Sequence, residues 1–288
     1  MTNPRPVLPL DAAFDPGEIA RIVGAWRKAG LSVGFVPTMG ALHAGHIALV
    51  TQALSFCDRV VASVFVNPAQ FAPGEDFNAY PRTLESDAQK LAAAGCHLVY
   101  APTGAAMYPD GFSSTVSLKG PAEDLESVAR PHFFSGVATV VTKLLNQVRP
   151  DAAVFGEKDY QQLLVIRRLV ADLDLGVRIV AGETVREPDG LALSSRNAYL
   201  SADERRRAAK LNVILNEFAD SLRGGAPVEA AQSAALGDAQ AAFDSVDYIE
   251  ARNAETLAAL PDGMLTEPAR VLAAVRVGKT RLIDNRAV

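Results

Sequence analysis

Apolar and polar positions follow a strand–helix rhythm along the first two-thirds of the chain. Val33–Val36 is a short apolar run, residues 37–40 (PTMG) form a turn, and Leu42, Leu49, Val50, Ala53 and Leu54 recur at helical spacing. Arg59–Val66 is a β-branched run closed by Asn67-Pro68. Two apolar strands joined by a helix predict a βαβ unit in a parallel sheet. The alternation continues with a helix over Thr83–Ala94 ended by Gly95, then a strand in residues 96–102 (CHLVYAP). Val137, Val140, Val141, Leu144, Leu145 and Val148 mark an amphipathic helix, with Pro150 just beyond it. Ala152–Phe155 reads as a strand, residues 156–159 (GEKD) as a turn and Tyr160–Leu173 as a helix, while Val177–Val180 and Thr184-Val185 are strand-like. Repeated β–α alternation predicts an α/β fold with an open, doubly wound parallel sheet.

The pattern changes at residues 187–190 (EPDG). Ser201 and Glu204 form a capping-box signature that opens a charged helix ending at Gly224-Gly225. An Ala-rich helix over Val228–Phe243 follows, and then VDYIEAR, ARVLAAVRVG and TRLIDN read as strands without βαβ spacing. The expected organisation is a first domain over residues 1–186 and a smaller C-terminal α+β domain over 187–288. The basic run Arg205–Arg207 falls on the capped helix and reads as a solvated face.

Composition narrows the function. The chain has 288 residues, 49% of them apolar, and 28 basic against 33 acidic side chains give a net charge of −5. That supports a large core and argues against nucleic acid or an anionic membrane as the main partner, since both call for a basic surface. No segment approaches the ~18 consecutive apolar residues of a membrane span. The first residues lack the apolar stretch of a signal peptide, so the chain reads as cytoplasmic. Cys57 and Cys96 make neither a disulfide framework nor a metal cluster and read as packing residues.

Ligands of open α/β sheets bind beyond the carboxyl ends of the strands. Four segments fall in such positions: PTMGALHAGH, NPAQF, GEKDYQQ and LALSSRN. They are expected to converge on one crevice. His43 and His46, two of only four histidines, sit three residues apart at a helix start, where free N–H groups and the dipole favour phosphate. Gly40 and Gly45 remove side chains where phosphates approach. Lys158 can neutralise a phosphate, Asp159 can accept from ribose hydroxyls, and Arg196 can clamp a polyphosphate. Asn67 and Gln70 offer amides to a small hydroxylated substrate, with a plain Asn-Pro turn as the simpler reading. His43 and His46 could share zinc, but no HExxH motif or third nearby ligand supports that, and His97 and His132 are isolated. GxSxG, GxGxxG and GxxxxGK[ST] are all absent. The combination points to nucleotidyl transfer at an α-phosphate.

FVPTMGALHAGH, SVFVNPAQF, EDFNAYPRTLESD, FGEKDYQQLLVIRRLVAD, DGLALSSRNAYL and GKTRLIDN, in this order from Val33 to Asn285, resemble the pantoate–β-alanine ligase family. The resemblance implies a Rossmann-like N-terminal domain of the HIGH nucleotidyltransferase type, that signature appearing here as HAGH. It also implies a lid-like C-terminal domain and a homodimer. The implied reaction forms pantoyl adenylate and pyrophosphate from ATP and pantoate, after which β-alanine displaces AMP to give pantothenate. On that resemblance His46, His43, Lys158 and Arg196 are catalytic. ATP would be bound by Met39, Gly40, Ala41, Leu42, His43, Ala44, Gly45 and His46, by Gly156, Glu157, Lys158 and Asp159, and by Val185, Leu193, Ser194, Ser195 and Arg196. Gln70 and Gln162 would hold pantoate, and Gln70 would also face β-alanine. Mg²⁺ is expected with ATP; its protein ligands are not identified. Glu85 and Asp87 are candidate acids that read better as helix-start residues.

The chain departs from the family's LEG…RPGHFRG pattern. Ser127 stands for a glycine, Phe133 for a histidine and Ser135 for an arginine, with His132 one position early. These changes imply altered activity or substrate handling, or else a local register adjustment that returns His132 inward. Two other readings stand beside the ligase: another nucleotidyltransferase of the same fold, which would share HAGH without needing Gln70 and Gln162 together, and a protein that binds ATP and pantoate with chemistry weakened by the Ser127–Ser135 changes.

Overall fold

The computed structural model describes residues 6–72 and 77–288. Glu75 and Asp76, which open the EDFNAYPRTLESD segment, lie outside the described residues, as do the first five residues. The elements are β1 (Asp11–Ala13), α1 (Pro16–Lys28), β2 (Val33–Thr38), α2 (Ala44–Leu54), β3 (Arg59–Val64), α3 (Leu84–Ala93), β4 (Leu98–Tyr100), α4 (Gly104–Met107), α5 (Glu126–Ala129), α6 (Phe133–Val148), β5 (Ala152–Gly156), α7 (Tyr160–Asp172) and β6 (Arg178–Gly182). They are followed by α8 (Ala202–Ala208), α9 (Lys210–Arg223), α10 (Val228–Ala242), β7 (Ser245–Asn253), β8 (Ala269–Val277) and β9 (Thr280–Ala287). The chain divides into two compact units. One comprises Met1–Leu118, Arg130–Gly156 and Val165–Gly182; the other comprises Lys119–Ala129, Glu157–Leu164 and Glu183–Val288.

The first unit holds a parallel sheet of order β1-β4-β3-β2-β5-β6. Its central strands are apolar without alternation because both faces are covered. Val36, Val60, Ala62, Val99 and Val154 pack with Leu49, Val50 and Ala53 of α2 and Leu91 of α3. The chain steps outward from β2 through β3 to β4, then resumes on the other side of β2 with β5 and β6. That reversal between β2 and β5 is where such sheets place ligands, beyond the carboxyl ends. β1 and α1 were not apparent in the pattern: β1 has three residues, and only Ile19 and Val23 of α1 are buried. Asp15 caps α1 by accepting from Gly17 N and Glu18 N, with Pro16 at the first helical position.

The second unit contains an antiparallel sheet of order β7-β8-β9. Leu211, Leu215, Phe218 and Leu222 of α9 and Ala231, Ala235 and Ala239 of α10 cluster with Ile249, Val271, Ala273, Val275 and Leu282 of the sheet. The Ser201–Glu204 capping box is formed in both directions. The single helix expected from there to Gly224 is two, α8 and α9, meeting at Ala209. Thr184-Val185 is not a strand; a lone bridge, Arg186 to Ala192, takes its place. Arg205, Arg206 and Arg207 pair with Asp189, Asp203 and Asp244 respectively.

Candidate active site

In the first unit β2 ends at Thr38 and the chain turns sharply. Gly40 has φ +90°, and a Cβ there would lie 3.0 Å from Val64 Cγ1 and 3.1 Å from Asp87 Oδ2, so only glycine fits without displacement. Ala41 is left-handed as well, at φ 52°. Asp87 holds this turn: Oδ2 accepts from Ala41 N at 3.0 Å and Oδ1 from Leu42 N at 2.8 Å. The helix-start reading of Asp87 is thereby refined, since the carboxylate serves the neighbouring loop. Glu85 is exposed.

His43 is the N-cap of α2 and His46 its third residue. Their side chains form a reciprocal cap. His43 Nδ1 accepts from Gly45 N at 3.2 Å and His46 Nδ1 accepts from His43 N at 3.3 Å. The ring centroids lie 4.1 Å apart. With Nδ1 an acceptor, each neutral imidazole carries its proton on Nε2 and is a donor through that atom. Two such donors at a helix N-terminus suit a ligand whose negative charge grows during reaction.

After β3, residues Pro68–Gln70 form a 3-10 turn capped by Asn67. Asn67 is buried, and its amide is fully used: Nδ2 donates to Gln70 Oε1 and Gly136 O, while Oδ1 accepts from Ala69 N and Tyr108 OH. Asn67 therefore holds the loop, as the Asn-Pro turn reading has it. Gln70 Nε2 lies 3.0 Å from Met39 Sδ, which joins this loop to the β2 turn. Gln70 O accepts from Arg130 Nη2 at 3.1 Å, and the Arg130 guanidinium lies 4.0 Å from the Phe133 ring centroid. His132 is exposed and makes no side-chain cap on α6. Ser135 Oγ donates to Val116 O and Ser127 Oγ to Ala122 O.

In the second unit Glu157–Asp159 forms a 3-10 turn running into α7. Gln161 is buried; its Nε2 lies 3.0 Å from Pro121 O, 3.1 Å from Glu123 O and 3.3 Å from Asp124 O, while its Oε1 accepts from Glu126 N. Glu126 in turn accepts two hydrogen bonds from Arg281 at 2.8 Å and one from Tyr248 OH at 2.9 Å. Gln162, the next residue, is half-buried. Residues 185–193 fold back on themselves: Leu193 N donates to Val185 O at 3.0 Å and Glu187 N to Leu191 O at 2.8 Å. Arg186 ties this hairpin to Asp284 by two hydrogen bonds of 2.6 and 2.9 Å. Leu193, Ser194, Ser195 and Arg196 follow directly, with Ser194 Oγ capping the next turn through Arg196 N.

The expected residues thus form two sets. Met39–His46, Gln70 and Gly156 belong to the first unit, and Glu157–Asp159, Gln162, Val185 and Leu193–Arg196 to the second. Asp87 and Arg130, which shape the first set, and Asn285, which touches the second, carried no sequence signal of that role beyond membership of matched segments. Among the described residues no group of three His, Cys, Asp or Glu side chains could hold a metal ion. Nor is any described helix long and apolar enough to cross a membrane.

The chain resembles characterised families over nearly its whole length. The family model for pantoate-beta-alanine ligase matches residues 14–287. The pantothenate synthetase of Maricaulis maris is 67% identical over 265 residues, 92% of each chain. The crystal structure of pantothenate synthetase from Thermus thermophilus aligns with a TM-score of 0.88 at 45% identity, covering 96% of this chain and 99% of the other. That of the Francisella tularensis pantoate-beta-alanine ligase, complexed with beta-gamma ATP and beta-alanine, aligns at 0.80 and 35% identity over 96% and 97%. With its strand order, its paired histidines and a match spanning both units, the chain belongs to the pantoate–β-alanine ligase family.

Proposed function

We propose that this chain condenses (R)-pantoate with β-alanine in two steps driven by ATP. A pantoate carboxylate oxygen attacks the α-phosphorus, the bond to the bridging oxygen breaks, and pyrophosphate leaves with the electron pair. The free amine of β-alanine then adds to the acyl carbon of pantoyl adenylate, AMP departs, and the amine loses a proton to give pantothenate.

The observation that supports the roles of the two histidines is the reciprocal cap of His43 and His46. It makes both rings Nε2 donors at the start of α2, where they stabilise charge on the phosphates in the adenylation transition state. Gly40, Ala41 and Leu42 give the nucleotide close access to main chain, and Met39 borders Gln70. Gln70 and Gln162 hold pantoate, and Gln70 also faces β-alanine. Lys158 and Arg196 neutralise the reacting phosphates, and Gly156, Glu157 and Asp159 border phosphate and ribose. Val185 touches adenine through its main chain, and Leu193–Ser195 carry Arg196. Mg²⁺ carried by the ATP phosphates would supply charge neutralisation to the pyrophosphate. The second unit acts as a lid that keeps water from the acyl phosphate. The enzyme works as a cytoplasmic homodimer, as the family resemblance implies.

The test is pyrophosphate and AMP release from ATP plus pantoate, with and without β-alanine. At most about one equivalent of pyrophosphate per site is expected before β-alanine, and continuous AMP release after it. His46→Ala should lower turnover on the order of a hundredfold or more, the usual loss for one such donor. Bound ATP with no pyrophosphate under either condition would overturn the two-step reading.

A further inference from the structure

The last matched motif, Gly278–Asn285, has no part in the roles above. Asn285 lies on β9 and is 2% exposed. Its Nδ2 donates to two main-chain carbonyls, those of Glu157 and Lys158, at 2.9 Å each. Its Oδ1 accepts from Arg270 Nε at 2.6 Å. A guanidinium only donates and a peptide carbonyl only accepts, so these neighbours fix the orientation of the amide.

The two carbonyls belong to the peptide planes on either side of the Lys158 Cα. Clamping both planes from one nitrogen constrains φ and ψ at Lys158 together. The turn needs that help, because a single 3-10 turn has poor internal hydrogen bonds. Arg270 completes the clamp. Its guanidinium lies 3.7 Å from the Tyr160 ring centroid and 3.3 Å from Glu157 Oε2, and Tyr160 OH donates to Ala254 O at 2.7 Å. Residues 157, 158 and 160 are thus all held by β8, β9 and the chain just after β7. The task demands a carboxamide: one atom with two donors facing two carbonyls, and one acceptor facing an arginine. Aspartate has the shape without the donors.

We propose that Asn285 is a positioning residue for Lys158, fixing the main chain from which the ammonium reaches the reacting phosphate during adenylate formation. The inference rests on the role given to Lys158 above. A flexible lysine stem gains its aim from the backbone that carries it, and misplacement by ~1 Å can cost on the order of a hundredfold in rate.

The experiment is pantoate-dependent exchange of labelled pyrophosphate into ATP, measured on the full chain as wild type, Asn285→Asp, Lys158→Ala and the double variant, with thermal unfolding of each. Asn285→Asp keeps the acceptor for Arg270 and replaces the double donor with oxygen. It should lower the exchange rate constant on the order of 30–100-fold while the KM for pantoate changes little. Lys158→Ala should lose at least as much, and adding Asn285→Asp to it should cost almost nothing more, because the asparagine then has nothing to aim. Asn285→Ala runs in parallel, since it introduces no charge. Wild-type exchange in the Asn285 variants, or losses that multiply in the double variant, would overturn the positioning role alone. Wild-type exchange in Lys158→Ala would overturn the lysine's role and the inference with it. If neither Asn285 variant shows a cooperative unfolding transition, the residue is structural and the proposal fails.

Discussion

Asp87 of α3 grips Leu42 in the turn between β2 and α2, its Oδ1 accepting the Leu42 main-chain N–H at 2.8 Å. Three residues along the same helix, Lys90 Nζ donates to the Leu42 carbonyl at 2.7 Å. Both polar groups of residue 42 are therefore held by α3, as is the amide of Ala41. The left-handed turn before His43 thus rests on one fully buried carboxylate.

Asp87→Ala should accordingly do two things. It strands two amide donors, and hydrogen bonds to a charged group are worth about 1.5–3 kcal/mol each, so a loss of about 3–6 kcal/mol in denaturant unfolding is expected. The KM for ATP should rise as well, because under the proposed function the turn offers its main chain to the nucleotide. An unchanged ATP KM in a folded variant would show that the turn's shape does not govern nucleotide binding.

Gly136 gives a sharper test of local fit. A Cβ there would lie 2.1 Å from Ala69 O and 2.8 Å from Gln70 N, both main-chain atoms that cannot swing aside. Gly136→Ala must push the Gln70 loop away from α6, and overpacking of this kind costs about 1–3 kcal/mol. Gly237, exposed in α10, meets nothing within 4 Å. Gly237→Ala should therefore stabilise by about 0.5–1 kcal/mol. Paired melting curves check both signs, and the KM for pantoate should rise only in the Gly136 variant.

These contacts show where sequence reading stops. β2, β3 and α6 were legible because burial on both faces, or along one helical stripe, writes itself as unbroken or periodic apolar residues. The His43–His46 pair was legible because histidines are rare here and these two adjoin a strand end and glycines. Asp87 and Asn285 were not, because their partners lie 46 and 127 residues away and no local spacing encodes a side chain reaching a distant main-chain group. The Thr184-Val185 strand failed for a related reason. Two β-branched residues favour extension, but pairing depends on a neighbouring strand, and only a single bridge is available.

Stability should fall in mild alkali. Burial pushes the Cys96 thiol up to about 11 from 9.0 and the Tyr108 hydroxyl up to about 12 from 10.0. Above pH 9 the unfolded chain releases these protons while the folded chain keeps them, so the unfolded state gains relative stability as pH rises. The contribution is intact below pH 9 and is lost through the folded-state values. Melting temperatures between pH 8 and 11 should decline, and less steeply in Cys96→Ala. Equal slopes in the two proteins would refute the thiol's part.

Phe133 stands where the resemblance leads one to expect a histidine, and the structure gives it a task. Its ring lies 4.0 Å from the Arg130 guanidinium, and that guanidinium donates to Gln70 O at 3.1 Å. Arg130 is thus held on one side by an aromatic face while it fixes the main chain of the residue assigned to both pantoate and β-alanine. His132 is exposed, so no register shift returns its imidazole to the helix start. Cation–π contacts contribute about 0.5–2 kcal/mol depending on exposure, which converts to about 2–30-fold in an equilibrium constant. Phe133→Ala should raise the KM for β-alanine and pantoate within that range while the protein stays folded. Phe133→Trp, with a stronger π face, should leave both at or below wild type. Arg130→Met removes the Gln70 contact itself and should exceed the Phe133→Ala effect. Steady-state kinetics on the three variants decide it: if Phe133→Ala matches wild type while Arg130→Met does not, Arg130 holds Gln70 without the ring, and the phenylalanine is a neutral replacement.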